Sequence, residues 1–328
     1  MIEVFNYSFG NGQQGLNGEE PLVSIQVNQL HPRFFAEIVG ADLQAEPTEE
    51  LRATVQDAMD AHAVCVVRQG PIEDAEQIRF ARLFGPLELP PGYGTGARPA
   101  GRMAPELFFA GNLDPEGNIK PFTPVGQDLA KGAEMFHSDS SFNPLPSKWS
   151  MLRGVECPPS EAGGDTLFVD LRAAYDDLAP AMKNKIAGLI GIHDFWQGRQ
   201  NAGLKPDDAM RAKMPMPPVH HPIVREMPYG RKSLFIGGHC VGVVGMPEDE
   251  GYALVRELYD YATQDKYVYR HRWTKGDIVI WENRCALHAA TPLLTDKYRR
   301  DMRRATVNES GPEIDAFEFR RQQEAALV

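Results

Sequence analysis

No Cys-x-x-Cys pair occurs in these 328 residues. The four cysteines, Cys65, Cys157, Cys240 and Cys285, are too scattered for a zinc knuckle or a thioredoxin-like site. A chain of this length does not depend on disulfides for its stability, so they read as free thiols in a reducing compartment. Positive charge is not in excess: 34 Lys and Arg against 45 Asp and Glu give a net charge of −11. That argues against a general binder of nucleic acid or of anionic membranes. There is no apolar run of about 18 residues, so no membrane span is expected. The opening Met1-Ile2-Glu3-Val4 lacks the basic and apolar segments of a secretory signal, and the expected compartment is the cytoplasm. Internal repeats and a His-Glu-x-x-His motif are missing too.

What is present is an ordinary globular composition, 42% hydrophobic and 24% charged, on a chain long enough to bury a sizeable core. Residues 1–21, rich in Gly, Asn and Gln, read as an irregular lead-in, and residues 22–328 as a single domain. A first strand is expected over Val23 to Val27. Thr48 followed by Glu49 and Glu50 marks a helix start, with Leu51, Val55, Met59 and His62 at helical spacing. Ala63 to Val67 reads as a buried strand, and Glu73 to Leu83 as a second helix. Further strands are expected at Met151-Leu152, Thr166 to Val169, Ser233 to Ile236 and Ile278 to Trp281. Helices are expected at about Leu171 to Leu189 and Glu248 to Thr263. Two stretches rich in Gly or Pro, 88–133 and 196–230, read as lid loops. Short strands, many turns and few helices predict a mainly β fold with flanking helices, a barrel or jelly roll. Strands and helices are not interleaved regularly enough for a parallel α/β sheet.

Chemistry concentrates in two places. In Phe136-His137-Ser138-Asp139, the His and the Asp lie two residues apart, so an extended chain would point both to one side. The plain alternative, a His and an Asp hydrogen-bonded on a loop, stays open at this point. Near the end, His288 follows an apolar strand, where a packed histidine would be unremarkable. Two His and one carboxylate leave coordination positions open on a metal, the arrangement of non-haem Fe(II) oxygenases. Zinc hydrolysis uses the same donor set, but no recognisable base accompanies these residues. After His288 comes Arg299-Arg300-Asp301-Met302-Arg303-Arg304. On a strand, Arg300, Met302 and Arg304 share one face, and Arg299, Asp301 and Arg303 the other. One face would aim two planar guanidiniums, suited to bidentate carboxylate binding, into a pocket; a solvated edge strand is the bland reading. His220-His221 sits in a Pro-rich loop. His193, His239 and His271 lack a partner at ligand spacing, and His31 and His62 read as structural.

Several ordered segments carry a resemblance. They are His31-Pro32-Arg33-Phe34-Phe35, Phe84-Gly85-Pro86-Leu87, Asn112-Leu113-Asp114-Pro115, Phe136-His137-Ser138-Asp139-Ser140-Ser141-Phe142, Gly163-Gly164-Asp165-Thr166, Trp281-Glu282-Asn283-Arg284 and Arg300-Asp301-Met302-Arg303-Arg304. In order and spacing the chain resembles the taurine dioxygenase superfamily of Fe(II)- and 2-oxoglutarate-dependent oxygenases, and within it the 2,4-dichlorophenoxyacetate (aryloxyalkanoate) dioxygenases. The resemblance implies a distorted jelly roll, the double-stranded β-helix, and a dioxygenase that releases succinate and CO2. It implies His137, Asp139 and His288 as catalytic iron ligands. Arg300, 12 residues after His288, would hold 2-oxoglutarate with Thr166, and Arg304 the acid of the substrate. The implied partners are a small carboxylate and O2, with neither nucleic acid nor membrane; a homo-oligomer is left open. Two positions depart from the taurine-specific pattern: Ala133 stands where those enzymes have Asn, and Pro90 where they have His. Glu282 replaces a common Asp. The alternatives are an alkylsulfonate or alkylsulfate dioxygenase, an aliphatic acid hydroxylase of the same superfamily, and a non-catalytic metal- or ligand-binding barrel.

Overall fold

Period-two alternation builds the principal sheet. In Val64–Arg68, Val64 and Val66 turn to one side and Cys65 and Val67 to the other. In Asp277–Glu282, Val279 and Trp281 join the first side and Ile278 and Ile280 the second. Both strands are apolar on both faces, which places them mid-sheet. The computed structural model describes residues 24–68, 70–90, 102–121, 131–294, 297–313 and 318. The lead-in expected over 1–21 lies outside them, as do 91–101 and 122–130 of the stretch 88–133.

The sheet runs in the order Gln26–Gln29, Ala36–Val39, Val64–Arg68, Asp277–Glu282, Trp149–Glu156, Asp301–Val307 and Leu87–Glu88, with Phe108–Phe109 also paired to Asp301–Val307. Ala36–Val39 lies parallel to Val64–Arg68; the other pairings are antiparallel. Its outer face is covered by the helices Glu49–His62 and Asp74–Arg82. Leu51, Val55, Met59, Ile78 and Phe80 pack there on Cys65, Val67, Met151, Ile278 and Ile280. Thr48 caps the first helix, its side chain accepting from Leu51 N at 3.1 Å. Glu73 and Glu76 form a capping box on the second.

The inner face meets a second layer, Val268–His271, Thr166–Asp170 and Ala286–Ala290, paired in that order. Phe168, Cys285 and Ala286 from this layer interlock with Phe35, Val64, Val66, Val279, Trp281 and Met302. Its own outer side, through Val169 and Leu287, is closed by Leu254, Val255 and Leu258 of the helix Glu248–Ala262. This is the mainly β, helix-flanked jelly roll expected.

Three local expectations need correction. The first strand is Gln26–Gln29 rather than Val23 to Val27. The helix expected over Leu171 to Leu189 is two, Leu171–Asp176 and Pro180–Ile186. Pro180 has no N–H to continue a helix and instead starts one. The stretch 196–230 is not an irregular loop: it contains most of Phe195–Asn201, then Asp208–Lys213, Val219–Pro222 and Val224–Glu226. Asp194 and Asp207 cap its helices, accepting from Gln197 N and Met210 N; its prolines obscure the periodicity. Among the described residues no helix is long and apolar enough to cross a membrane.

Candidate metal centre

His137 and His288 face each other across an isolated antiparallel bridge. His137 N donates to His288 O at 3.0 Å and His288 N to His137 O at 2.9 Å. The imidazole centroids are 4.2 Å apart. Asp139 turns to the same point: one ligand-type atom from each of the three residues lies within 4.8 Å of the others. His137 Nδ1 donates to Met135 O at 2.7 Å, which leaves the lone pair of Nε2 for a metal. Burial lowers both imidazoles, His288 to about 3, so both stand in the neutral form that ligates. Burial resists ionisation of Asp139, but Arg304 and the two imidazoles outweigh it and hold the carboxyl below its usual range. Two neutral imidazoles and one carboxylate form a donor set that fits a divalent iron.

Asn283, to which the sequence reading gave no role, organises this cluster. Its Oδ1 accepts from Asp139 N at 3.2 Å and from Trp281 Nε1 at 2.9 Å. Its Nδ2 donates to Ser147 Oγ at 3.1 Å and Ser150 Oγ at 3.0 Å. Ser150 Oγ in turn donates to Asp139 Oδ2 at 2.7 Å. A polar Asn two residues after the apolar run Ile278 to Trp281 was the available signal, since a buried amide must find partners. Glu282, the departure noted above, accepts from Trp149 Nε1 at 2.9 Å and from Arg284 Nε at 2.8 Å, a structural contact that tolerates the longer side chain.

Arg300 is half-buried and has no counterion among the described residues. Nη1 donates to Ala110 O at 2.6 Å, and Nε has no partner. Desolvation lowers the guanidinium to about 10, which still leaves it charged at neutral pH. A cation whose Nε is shut away from water without a partner is costly unless an anion joins it. The Gly163-Gly164 turn runs beside it: a Cβ built on Gly164 would sit 3.7 Å from Arg300 Nε. Thr166, two residues on, accepts from Trp273 Nε1 at 2.9 Å. Arg304 points to the same side as Arg300, but its Nη1 lies 2.5 Å from Asp139 Oδ1. Its guanidinium sits 4.8 Å over the ring of Phe108, and Nε has no partner. On the other side of the chain, Arg303 pairs with Asp74 at 2.7 Å and with Asp301 at 3.2 Å, and Arg299 with Glu156 at 2.7 Å.

The remaining histidines stay apart from this centre, with one exception. His193 and His221 stack edge-on at 5.1 Å, and His271 lies 3.0 Å from Asp277. His239, which lacks a partner at ligand spacing in the sequence, reaches within 6.2 Å of the His137 ring and packs between Phe142 and Phe195. Among the described residues, only His137, Asp139 and His288 form a group with metal-ligating geometry.

Residues 26–306 match the profile of the family described as taurine catabolism dioxygenase TauD, TfdA family. The chain is 40% identical over 290 residues to an alpha-ketoglutarate-dependent 2,4-dichlorophenoxyacetate dioxygenase of Cupriavidus pinatubonensis, covering 87% of this chain and 98% of that one. It is 32% identical to an (S)-phenoxypropionate/alpha-ketoglutarate-dioxygenase of Sphingobium herbicidovorans, over 82% of this chain and 90% of the other. Among solved structures, AAD-2 in complex with Mn(II) and N-oxalylglycine superposes with a TM-score of 0.77 at 32% identity, covering 88% of this chain and 99% of its own.

Proposed function

Because the chain belongs to the TauD, TfdA family of dioxygenases, which use Fe(II) and 2-oxoglutarate, we propose that it hydroxylates a small carboxylate, an aryloxyalkanoate of the 2,4-dichlorophenoxyacetate type. In this reading His137, Asp139 and His288 hold the iron, Arg300 and Thr166 hold 2-oxoglutarate, and Arg304 takes the acid of the substrate. The observation that carries it is the convergence of three ligand atoms within 4.8 Å. The uncompensated guanidinium of Arg300 supports the second assignment. The pairing of Arg304 with both Asp139 and the Phe108 ring supports the third, since it sets a cation and an apolar surface side by side. The four free thiols support a reducing compartment, the cytoplasm. We read residues 22–328 as one catalytic domain.

Bound iron, with 2-oxoglutarate and O2, supplies an oxidant able to hydroxylate a C–H bond as the keto acid becomes succinate and CO2. The protein's own contribution is binding and orientation. Ser150 and Arg304 hold the two oxygens of Asp139, and Met135 O fixes the His137 ring. Arg300 would hold the far carboxylate of the keto acid by a charge-assisted contact. The buried walls around His288, Trp281 and Phe168 keep water out. A hydroxyl placed on a carbon that bears an aryl ether oxygen makes a hemiacetal, which collapses to a phenol and an oxo acid.

Succinate formation tests this on a panel of aryloxyacetates, 2-aryloxypropionates, alkylsulfonates and alkylsulfates. Aryloxyalkanoates should give succinate and a phenol together. Turnover confined to sulfonates or sulfates would reassign the substrate class. His137→Ala or Asp139→Ala should abolish 2-oxoglutarate turnover, and full activity in either would remove that residue from the ligand set.

A further inference from the structure

Glu88 is a buried carboxylate to which the reaction above gives no task. The short strand Leu87–Glu88 pairs with the end of Asp301–Val307, and Thr306 stands opposite Glu88 on one side and Ser150 on the other. Residues opposed across neighbouring strands face the same way. Ser150, Thr306 and Glu88 therefore form a row on the inner face of the sheet, beside Arg304. Ser150 reaches Asp139 directly. Glu88 reaches the residue after it: Ser140 Oγ donates to the carboxylate, 2.9 Å from each oxygen.

Ser140 has φ +55°, in the left-handed region that costs a residue with a Cβ. It is buried, and the turn closes with Asn143 N donating to Ser140 O at 2.9 Å. One hydroxyl hydrogen serves two carboxylate oxygens, so Glu88 is short of donors. Burial pushes its carboxyl up to about 7, against the pull of the Ser140 hydroxyl and Arg304. Such a residue is poor packing material.

We propose that Glu88 is a positioning residue for the metal centre: by holding the Ser140 hydroxyl it fixes the left-handed turn directly after Asp139, and so sets the direction from which the Asp139 carboxylate reaches the metal. This rests on the assignment of Asp139 as a ligand. Glu88 touches neither metal nor substrate; it acts through the backbone.

The test is Mn(II) binding to the full chain, without keto acid, by titration calorimetry and by the paramagnetic resonance spectrum of the bound ion. Glu88→Leu should weaken Mn(II) about tenfold, the scale of losses around ligands, and broaden the spectrum. Glu88→Gln, whose amide oxygen accepts the same hydroxyl, should restore both. Ser140→Ala keeps the strained Cβ without the hydroxyl and should behave as Glu88→Leu. Ser140→Gly relieves the strain and should bind close to the parent, and adding Glu88→Leu to it should cost little more. Parental affinity in folded Glu88→Leu, or an equal loss in the parent and Ser140→Gly backgrounds, would overturn the proposal. Should Glu88→Leu not fold, equal affinities for Ser140→Ala and Ser140→Gly would overturn it as well. Asp139→Ala separates the two readings. If it keeps parental affinity, the ligand assignment itself fails; if it loses Mn(II) while Glu88→Leu does not, only the role of Glu88 fails.

Discussion

Arg303 and Arg304 are neighbours on one strand and face opposite worlds. Arg303, on the outer face, is matched by Asp74 and Asp301, and Arg153 lies on the same Asp74. Arg304, on the inner face, meets Asp139, a residue already assigned to a metal. The pair just ahead repeats the contrast: Arg299 is exposed and paired with Glu156, whereas Arg300 is half-buried and has no carboxylate among the described residues. The outer arginines have counterions from the fold. On the inner face Arg300 has charge left for something that is not protein, and Arg304 spends its charge on a candidate metal ligand; the difference separates architecture from function.

That contrast can be broken by mutation. Arg303→Ala leaves Asp74 with Arg153 alone and Asp301 with Arg102 alone, and should lower stability by about 3 kcal/mol, the low end of the scale of a broken buried pair. Urea unfolding would read the loss, while KM for 2-oxoglutarate in the folded fraction stays at the parental value. Arg300→Ala should do the reverse. KM for 2-oxoglutarate should rise about a hundredfold, as loss of a charge-assisted bond of about 3 kcal/mol implies, with a smaller shift in the urea midpoint. If Arg300→Ala instead raised KM only for the primary substrate, the roles of Arg300 and Arg304 would exchange.

Glu88 sharpens the inner-face picture through pH. Its folded carboxyl is raised to about 7. The folded state therefore binds the proton more tightly than the unfolded chain. The associated stability is present below the unfolded value and is lost as pH rises through about 7. In the metal-free protein, Glu88→Gln has no such titration. Its stability should gain on the parent by on the order of 2 kcal/mol from about pH 5 to about pH 8; a pH-independent gap would argue against the buried ionisation. The smallest effect belongs to Arg299→Ala, an exposed pair, which should leave melting temperature and turnover unchanged.

Much of this was legible before any coordinates. Thr48 and the two Glu after it marked a helix start because capping is local chemistry, and the unbroken apolar run Ile278 to Trp281 marked a strand. The break before Pro180 is a local signal too, since a proline without an N–H starts a helix more readily than it continues one. The helices inside 196–230 were harder, because at 7 and 6 residues they are too short to show a period. In the site, the spacing of His137 and Asp139 and the alternation of the arginines could be read directly. The roles of Asn283, Ser150 and Glu88 could not, since each depends on partners more than 10 residues away in sequence.

The sequence by itself determined the strand and helix periods, the His-x-Asp pair and the two faces of the arginine segment, because these follow from rotation per residue along one chain. Only the tertiary structure decided that His288 bridges back to His137, which arginines find counterions, and that Glu88 meets Ser140 beside the candidate metal centre. Those outcomes depend on sheet order and register, which bring residues from distant parts of the chain into one buried, low-dielectric place.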